Sequence, residues 1–422
     1  MVIDSDNQRE SRVRVDTGTS LDVATPPRSD AILLPSGDDA GTEPGDRLFR
    51  PDVQGLRALA VALVVYYHAG FPGLHGGFVG VDVFFVISGF VITGLLLRER
   101  QVRHKTSLLR FYARRARRIL PASCLVIVVT VFASWHWLGS VGAESVRTSG
   151  EWSAVFLANF HAIAVGTNYF LQGTSGSPLL HYWSLAVEEQ FYLVYPALFI
   201  VVAALFRTRS FHVRLAVALS VVIVASLIFS ILDTHNAPIN AYYSPFTRAW
   251  ELALGGLVAV GTSVLRKVPV VLATLMTWLG LAGIVTAGLV LSNSTSYPGY
   301  AVALPGCATA LVLAGGAVAP RWGAEVVLGR WLMLRGGDIS YSLYLWHYPI
   351  LVIAAEQAFT PLPTTTRVWL VGLALVLSVA SYYLVENPLR HMRALRTRPW
   401  LSLALGAGLI VSTVLICAYA VP

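Results

Sequence analysis

The stretch GLRALAVALVVYYHAG, residues 55–70, places Arg57 and His68 eleven positions apart in an otherwise apolar run. On a helix these side chains stand ~16 Å apart along the axis, about half the thickness of a hydrocarbon core. Ionisable groups inside a span are costly, and imidazole is the side chain whose charge changes near neutral pH. Four carboxylates, Asp82, Glu188, Glu189 and Glu251, also fall within apolar runs rather than loops. The direction in which those runs cross predicts all four in the outer third of the bilayer, at the depth of His68. Five ionisable groups at one depth mark a site, and chemistry outweighs helix glue as the reading of His68.

The carboxylates also have plainer readings. Asp82 is placed to cap a helix start and Glu251 to pair with Arg248 at i, i+3, so structure is favoured for these two. Glu188 and Glu189 stay open between chemistry and structure. His347, in ISYSLYLWHYP, is expected near mid-membrane, either lining the same cavity or satisfied by a neighbour; Tyr341, Tyr344 and Trp346 around it read as helix packing.

A second cluster offers different chemistry. RFYARRARRILP, residues 110–121, gathers Arg114, Arg115, Arg117 and Arg118 where chain enters membrane, and Arg57 approaches the same face. Guanidinium forks fit phosphate oxygens, although an excess of arginine on the inner side needs no ligand to explain it.

These residues must be held by membrane helices. Of 422 residues, 55% are hydrophobic and 13% charged, and the mean hydropathy is +0.63, so most of the chain belongs in lipid. The net charge of +8 does not indicate nucleic acid, because the basic residues sit in short clusters between apolar segments. Cys124, Cys307 and Cys417 lack paired spacing, so neither a disulfide framework nor a metal site is expected. Residues 1–50, with ten acids and six arginines among Ser, Gly and Pro, contrast with the rest; 1–47 is expected to be a disordered cytoplasmic tail rather than a signal peptide.

Apolar runs at about 55–70, 78–97, 119–138, 181–205, 213–232, 246–264, 269–291, 300–318, 339–358, 366–386 and 400–420 read as spans. With the tail inside, the basic loops, RERQVRHKTSLLRFYARRARR among them, all fall on the cytoplasmic side. One further run, 151–170, would reverse that order if it crossed, so it is expected to be re-entrant or interfacial. The expected fold is an all-α polytopic membrane protein, a ten-helix bundle plus an eleventh C-terminal transmembrane helix ending outside. The glycine-containing run HGGFVGVDVFFVISGFVITG, 75–94, lacks Gly-Lys-Ser/Thr and a preceding strand; its glycines serve close helix approach or make space for a narrow ligand.

Seven motifs in order, RPDVQGLRALAVALVVYYH, GFVGVDVFFVISGFVITGLL, FYARRARRILPA, LLHYWSLAVEEQFYLVYP, FTRAWELALGGLVA, ISYSLYLWHYP and YYLVENPLR, make the sequence similar to the acyltransferase 3 family of membrane acyltransferases, which O-acetylate bacterial surface polysaccharides. The resemblance covers residues 48–395 and leaves 396–422 as an additional helix. It implies an acyl group, commonly acetyl, taken from cytoplasmic acyl-CoA and passed to a hydroxyl of an extracytoplasmic glycan or glycolipid, with no metal. Arg57 and His68 match the family's Arg, ten residues, His signature. By resemblance Arg114, Arg115 and Arg118 hold the phosphates of CoA, and Glu188 and Glu189, following Trp183 and Ser184, supply the carboxylate motif. His68 then acts as general base or as a transient acyl carrier, with a carboxylate orienting its ring.

Many relatives continue into an extracytoplasmic hydrolase-like domain; here the membrane part is expected either to work alone, or to act with such a domain as a separate partner or as a further part of a longer chain. The family pattern assigns no role to the acidic tail. The competing reading is a transporter or flippase for a polar lipid or sugar, which has no evident need for an arginine cluster opposite a base.

Overall fold

The structure is a computed structural model that describes residues 50–170, 176–204, 210–358 and 360–419, apart from the side chains of 140–143. The tail expected at 1–47 and the chain end at 420–422 lie outside the described residues.

Every regular element among the described residues is helical. Helix α1 (Pro51–His68) leads into α2 (Gly80–Arg103) and α3 (Leu108–Ala154), followed by the short α4 (Ala158–Ala164). Then come α5 (Tyr182–Ala204), α6 (Phe211–Asn236), the short α7 (Pro238–Tyr243), α8 (Pro245–Leu265), α9 (Val270–Val290) and α10 (Ala303–Gly315). A single turn, α11 (Glu325–Leu328), precedes α12 (Trp331–Gln357) and α13 (Thr364–Ser381). The chain closes with α14 (Asn387–His391), α15 (Arg393–Thr397) and α16 (Pro399–Tyr419).

Local chemistry sets several boundaries. Pro51 opens α1 and Pro245 opens α8, where a missing N–H costs nothing. Ser107, Ser210 and Ser244 cap α3, α6 and α8 by accepting from Arg110 N, Val213 N and Phe246 N at 3.5, 3.4 and 3.3 Å. The 47 residues of α3 are broken at Gly139, whose φ of 72° is open chiefly to glycine.

Among the described residues eight helical segments are long and apolar enough to cross a membrane, and they include α2, α3 as far as Gly139, α5, α6, α8, α9, α13 and α16. The expected spans 55–70, 300–318 and 339–358 correspond to α1, α10 and α12, which fall short of that measure: α10 is short, and the other two carry polar side chains that the bundle buries. The apolar run 151–170 forms no single helix, since it divides into the end of α3 and the seven residues of α4, too little to cross at 1.5 Å per residue.

The pattern of burial is that of a protein in lipid. Leu193, Val221, Leu279 and Val376 face outward, whereas Asp82, Arg248 and Glu251 are each 1% exposed or less. Close approach of helices needs small residues: a side chain on Gly89 would strike the Leu252 carbonyl, and one on Gly255 the Val86 carbonyl, so α2 and α8 cross almost backbone to backbone. Helix α1 lies along α12 in the same manner, with Gly337 against the Gln54 carbonyl. The chain is thus an all-α polytopic membrane protein. Its first helix carries Arg57 nearly two turns in from its start and His68 as its last residue.

Candidate active site

At the His end, α1, α12 and the segment after α4 converge. His68 Nδ1 lies 2.9 Å from His347 Nε2, and His68 Nε2 lies 2.7 Å from the Tyr169 hydroxyl. His347 Nδ1 in turn lies 3.0 Å from the Leu343 carbonyl. That carbonyl only accepts, so His347 carries its proton on Nδ1 and turns an unprotonated Nε2 toward His68. His68 therefore donates from Nδ1 and presents a free lone pair on Nε2, which accepts the Tyr169 O–H. The proton positions follow from the order of partners, and they leave one basic nitrogen.

This arrangement corrects the expectation that a carboxylate orients the ring of His68: both ring nitrogens are occupied, by a histidine and a tyrosine. A neutral imidazole performs the orienting task without a buried anion. Tyr169 is fixed by stacking on Tyr242, with centroids 4.6 Å apart, and Tyr242 lies 4.9 Å from Trp183. A third imidazole, His181, is buried 5.9 Å from His347 and 5.0 Å from Tyr348, ring to ring. Its nitrogens face the Leu345 and Pro178 carbonyls without reaching bonding geometry. No group of metal-ligating side chains suited to an ion occurs among the described residues.

Glu188 and Glu189 lie elsewhere than expected. Glu189 Oε1 accepts from Arg115 Nη2 at 2.8 Å; Glu188 Oε1 accepts from Ser88 Oγ and the Tyr192 hydroxyl at 2.8 and 2.6 Å and lies 3.6 Å from Arg115. The carboxylates thus belong with the arginine cluster, not at the depth of His68. The reason is that α5 starts inside the bundle, where Ser184 shares a 2.6 Å hydrogen bond with Tyr344. Glu188 and Glu189 stand six and seven residues beyond the first residue of α5, Tyr182, by which point the helix has run about 10 Å from that end.

The four arginines assigned to the donor divide in two. Arg114 pairs with Glu99 at 3.2 Å, and Arg115 is held by Glu189 and lies over the Tyr192 ring at 3.8 Å. Arg57 makes one long hydrogen bond, to Gln54 at 3.3 Å, and Arg118 makes no ion pair with a described residue while lying within electrostatic range of Arg57 and Arg390.

Asp82 does not cap α2. Its carboxylate receives Arg248 Nη1 at 2.9 Å and the Tyr297 hydroxyl, while Glu251 takes the same Arg248 nitrogen at 3.3 Å. Arg248 also donates from Nε to the Tyr242 carbonyl at 3.1 Å, so this ionic group braces the aromatic stack under Tyr169. Tyr341 and Trp346 join helices as expected, donating to the Ile119 carbonyl at 2.8 Å and to Ser381 Oγ at 2.7 Å.

Sequence reasoning passed over Tyr169 and His181. His181 stands in the LLHYWSLAVEEQ motif, where its type alone was a signal; Tyr169 is one aromatic among many, with no spacing to single it out.

The family model for an acyltransferase domain matches residues 50–421, beginning just before α1 and running through α16. The chain belongs to the acyltransferase 3 family. Within the family it is 36% identical over 342 residues to BcsY of Komagataeibacter xylinus, whose name describes a membrane-bound transacylase; the match takes in 80% of this chain and 82% of that one. It is 30% identical over 356 residues to the peptidoglycan O-acetyltransferase OatA of Listeria monocytogenes and 30% over 358 to the O-acetyltransferase OatA of Staphylococcus aureus. These matches cover 82% and 81% of this chain but only 56% and 57% of the two relatives, so the chain spans little more than half their length. No solved structure matches.

Proposed function

We propose that this protein is a transmembrane O-acyltransferase that takes an acyl group, acetyl in the simplest case, from cytoplasmic acyl-CoA and transfers it to a hydroxyl of an extracytoplasmic glycan or glycolipid. The observation that carries this reading is the single basic nitrogen, His68 Nε2, held at the end of α1 while guanidinium groups gather about Arg57 in its first half. The ~16 Å between them is within reach of the slender arm of CoA. The names of the relatives support a carbohydrate acceptor: two are O-acetyltransferases, one of them of peptidoglycan.

In this mechanism the acceptor hydroxyl enters beside Tyr169, and its proton passes through the phenol to His68 Nε2. The acceptor oxygen attacks the thioester carbonyl, the C–S bond breaks as the ester forms, and His68 returns the proton to the departing thiolate. His347 fixes the tautomer throughout and bears part of the charge of the transient imidazolium. In this reading the N-terminus lies in the cytoplasm and the acceptor reaches His68 from the outer side.

Protein purified in detergent, given labelled acetyl-CoA and an oligosaccharide, tests the reading. Acceptor-dependent release of CoA that is lost in His68→Ala supports it. Undiminished turnover in that variant removes His68 from the mechanism, and movement of the oligosaccharide across reconstituted vesicles without release of CoA makes the protein a transporter.

A further inference from the structure

YYLVENPLR, at the end of α13 and into α14, is one of the motifs that mark the family, and nothing above gives it a function. The helix widens to a π turn over Tyr382–Glu386 before α14 begins. Such insertions often re-aim a side chain at a functional place. Here the widened turn carries Glu386, 2% exposed, which accepts from Ser342 Oγ at 3.1 Å. Arg390 follows at i+4 and therefore emerges on the same face.

Helix α14 packs against α3, which carries Arg118, and Arg57 of α1 lies within electrostatic range of the same face. All three guanidinium groups lie within electrostatic range of Glu386, and Arg57 and Arg118 within range of Arg390. Neither Arg118 nor Arg390 makes a hydrogen bond or ion pair with a described residue. The neighbouring carboxylates are engaged elsewhere: Asp338 accepts from Gln54 Nε2 at 2.5 Å and lies 3.8 Å from Arg335, and Glu189 holds Arg115. Three cations drawn from three parts of the chain thus face one carboxylate that contacts none of them within 4 Å. Like charges repel in so poorly hydrated a place, and an anion with several oxygens relieves that repulsion.

We propose that Arg390, together with Arg118 and Arg57, forms the seat of a phosphate group of the acyl donor, and that Glu386 positions Arg390 toward it. The inference rests on the reading of the protein as an acyl-CoA-dependent transferase and adds a binding residue to it. It also removes Arg114 and Arg115 from the seat, since both are committed to carboxylates. A phospholipid headgroup presents the same chemistry, so the test must separate the two sources.

The full chain in nanodiscs of zwitterionic lipid is assayed with acetyl-CoA and with S-acetylpantetheine, which has the same thioester and arm but no phosphate. In Arg390→Gln, kcat/KM for acetyl-CoA is expected to fall about tenfold more than for S-acetylpantetheine, the scale of a lost charge-assisted contact, and Arg390→Lys is expected to recover part of the difference. Equal losses with both donors make Arg390 structural and overturn the proposal, as does no loss with either. If phosphatidylglycerol in the disc competes with acetyl-CoA in the parent protein but not in Arg390→Gln, the seat belongs to lipid and the proposal fails. A parent protein that uses neither donor fails at the earlier reading, before the variants are compared.

Discussion

His347 holds His68 by a 2.9 Å contact between ring nitrogens, and its own remaining N–H is taken by the Leu343 carbonyl one turn back along α12. One histidine is therefore oriented by another, and the orienting ring is itself fixed by backbone.

Replacing His347 with Ala is expected to lower kcat about 100-fold, because His68 then loses both its fixed tautomer and the partner that shares its charge. KM for acyl-CoA should stay near the parent value, since the proposed seat of the donor's phosphates lies at Arg57 and Arg118, away from His347. Steady-state kinetics in detergent decide this; a variant with raised KM and unchanged kcat would place His347 in binding instead.

Tyr169→Phe isolates the phenol. The ring and its stack on Tyr242 remain, and only the hydroxyl 2.7 Å from His68 Nε2 is removed. A drop in kcat of at least about tenfold, with a thermal midpoint close to that of the parent, is the outcome expected of a proton relay. A large fall in midpoint with little kinetic change would make the hydroxyl a packing element.

The arginines at the other end should separate by function. Arg118→Gln is expected to raise KM for acetyl-CoA about tenfold, as for loss of a charge-assisted contact. Arg115→Gln strands Glu189 without its partner, and breaking a partly buried pair of this kind acts first on stability, at a cost of about 3 kcal/mol if burial is complete and less where water reaches the pair. Measuring KM and thermal midpoint together for both variants distinguishes the roles; matching profiles would argue against the division.

Arg248→Leu leaves Asp82 and Glu251 buried together without a cation, and a loss on the order of 3–5 kcal/mol is expected. Unfolding should shift to markedly lower temperature in detergent. The double replacement of Asp82 by Asn and Glu251 by Gln in that background should recover part of the loss, because it removes the stranded charges.

Sidedness is open to labelling. In a background without Cys124, Cys307 and Cys417, Val165→Cys, in the exposed turn after α4, should react with an impermeant reagent from outside the cell. Lys105→Cys, between α2 and α3, should react only after lysis. The reverse pattern would invert the membrane orientation.

How much of this was legible in the sequence differs between the two ends of α1. The spacing of Arg57 and His68 is written in one continuous run, and helical rise converts it directly into separation. The partners of His68 are not written that way: His347 and Tyr169 come from 279 and 101 positions away, and only packing brings them in. Glu188 and Glu189 were misplaced because hydropathy shows where an apolar run begins but not that α5 begins deep inside the bundle. The grouping of Arg248 with Glu251 was readable as i, i+3, whereas its second partner, Asp82, crosses from another helix. In α3, Gly139 breaks a helix of which hydropathy had marked only the span 119–138.

The contact of Gly337 with the Gln54 carbonyl has a bearing on how anything crosses this protein. Helices that meet through side chains can slip by a turn as rotamers exchange, but helices that meet through backbone have no such play. With α1 pinned to α12 near the Arg end and joined to it through His68 and His347 at the other, the two behave as a single beam. A carrier that alternates between two openings needs a seam that slides, and this seam is closed. On the proposed reading, a small group is passed along a standing frame.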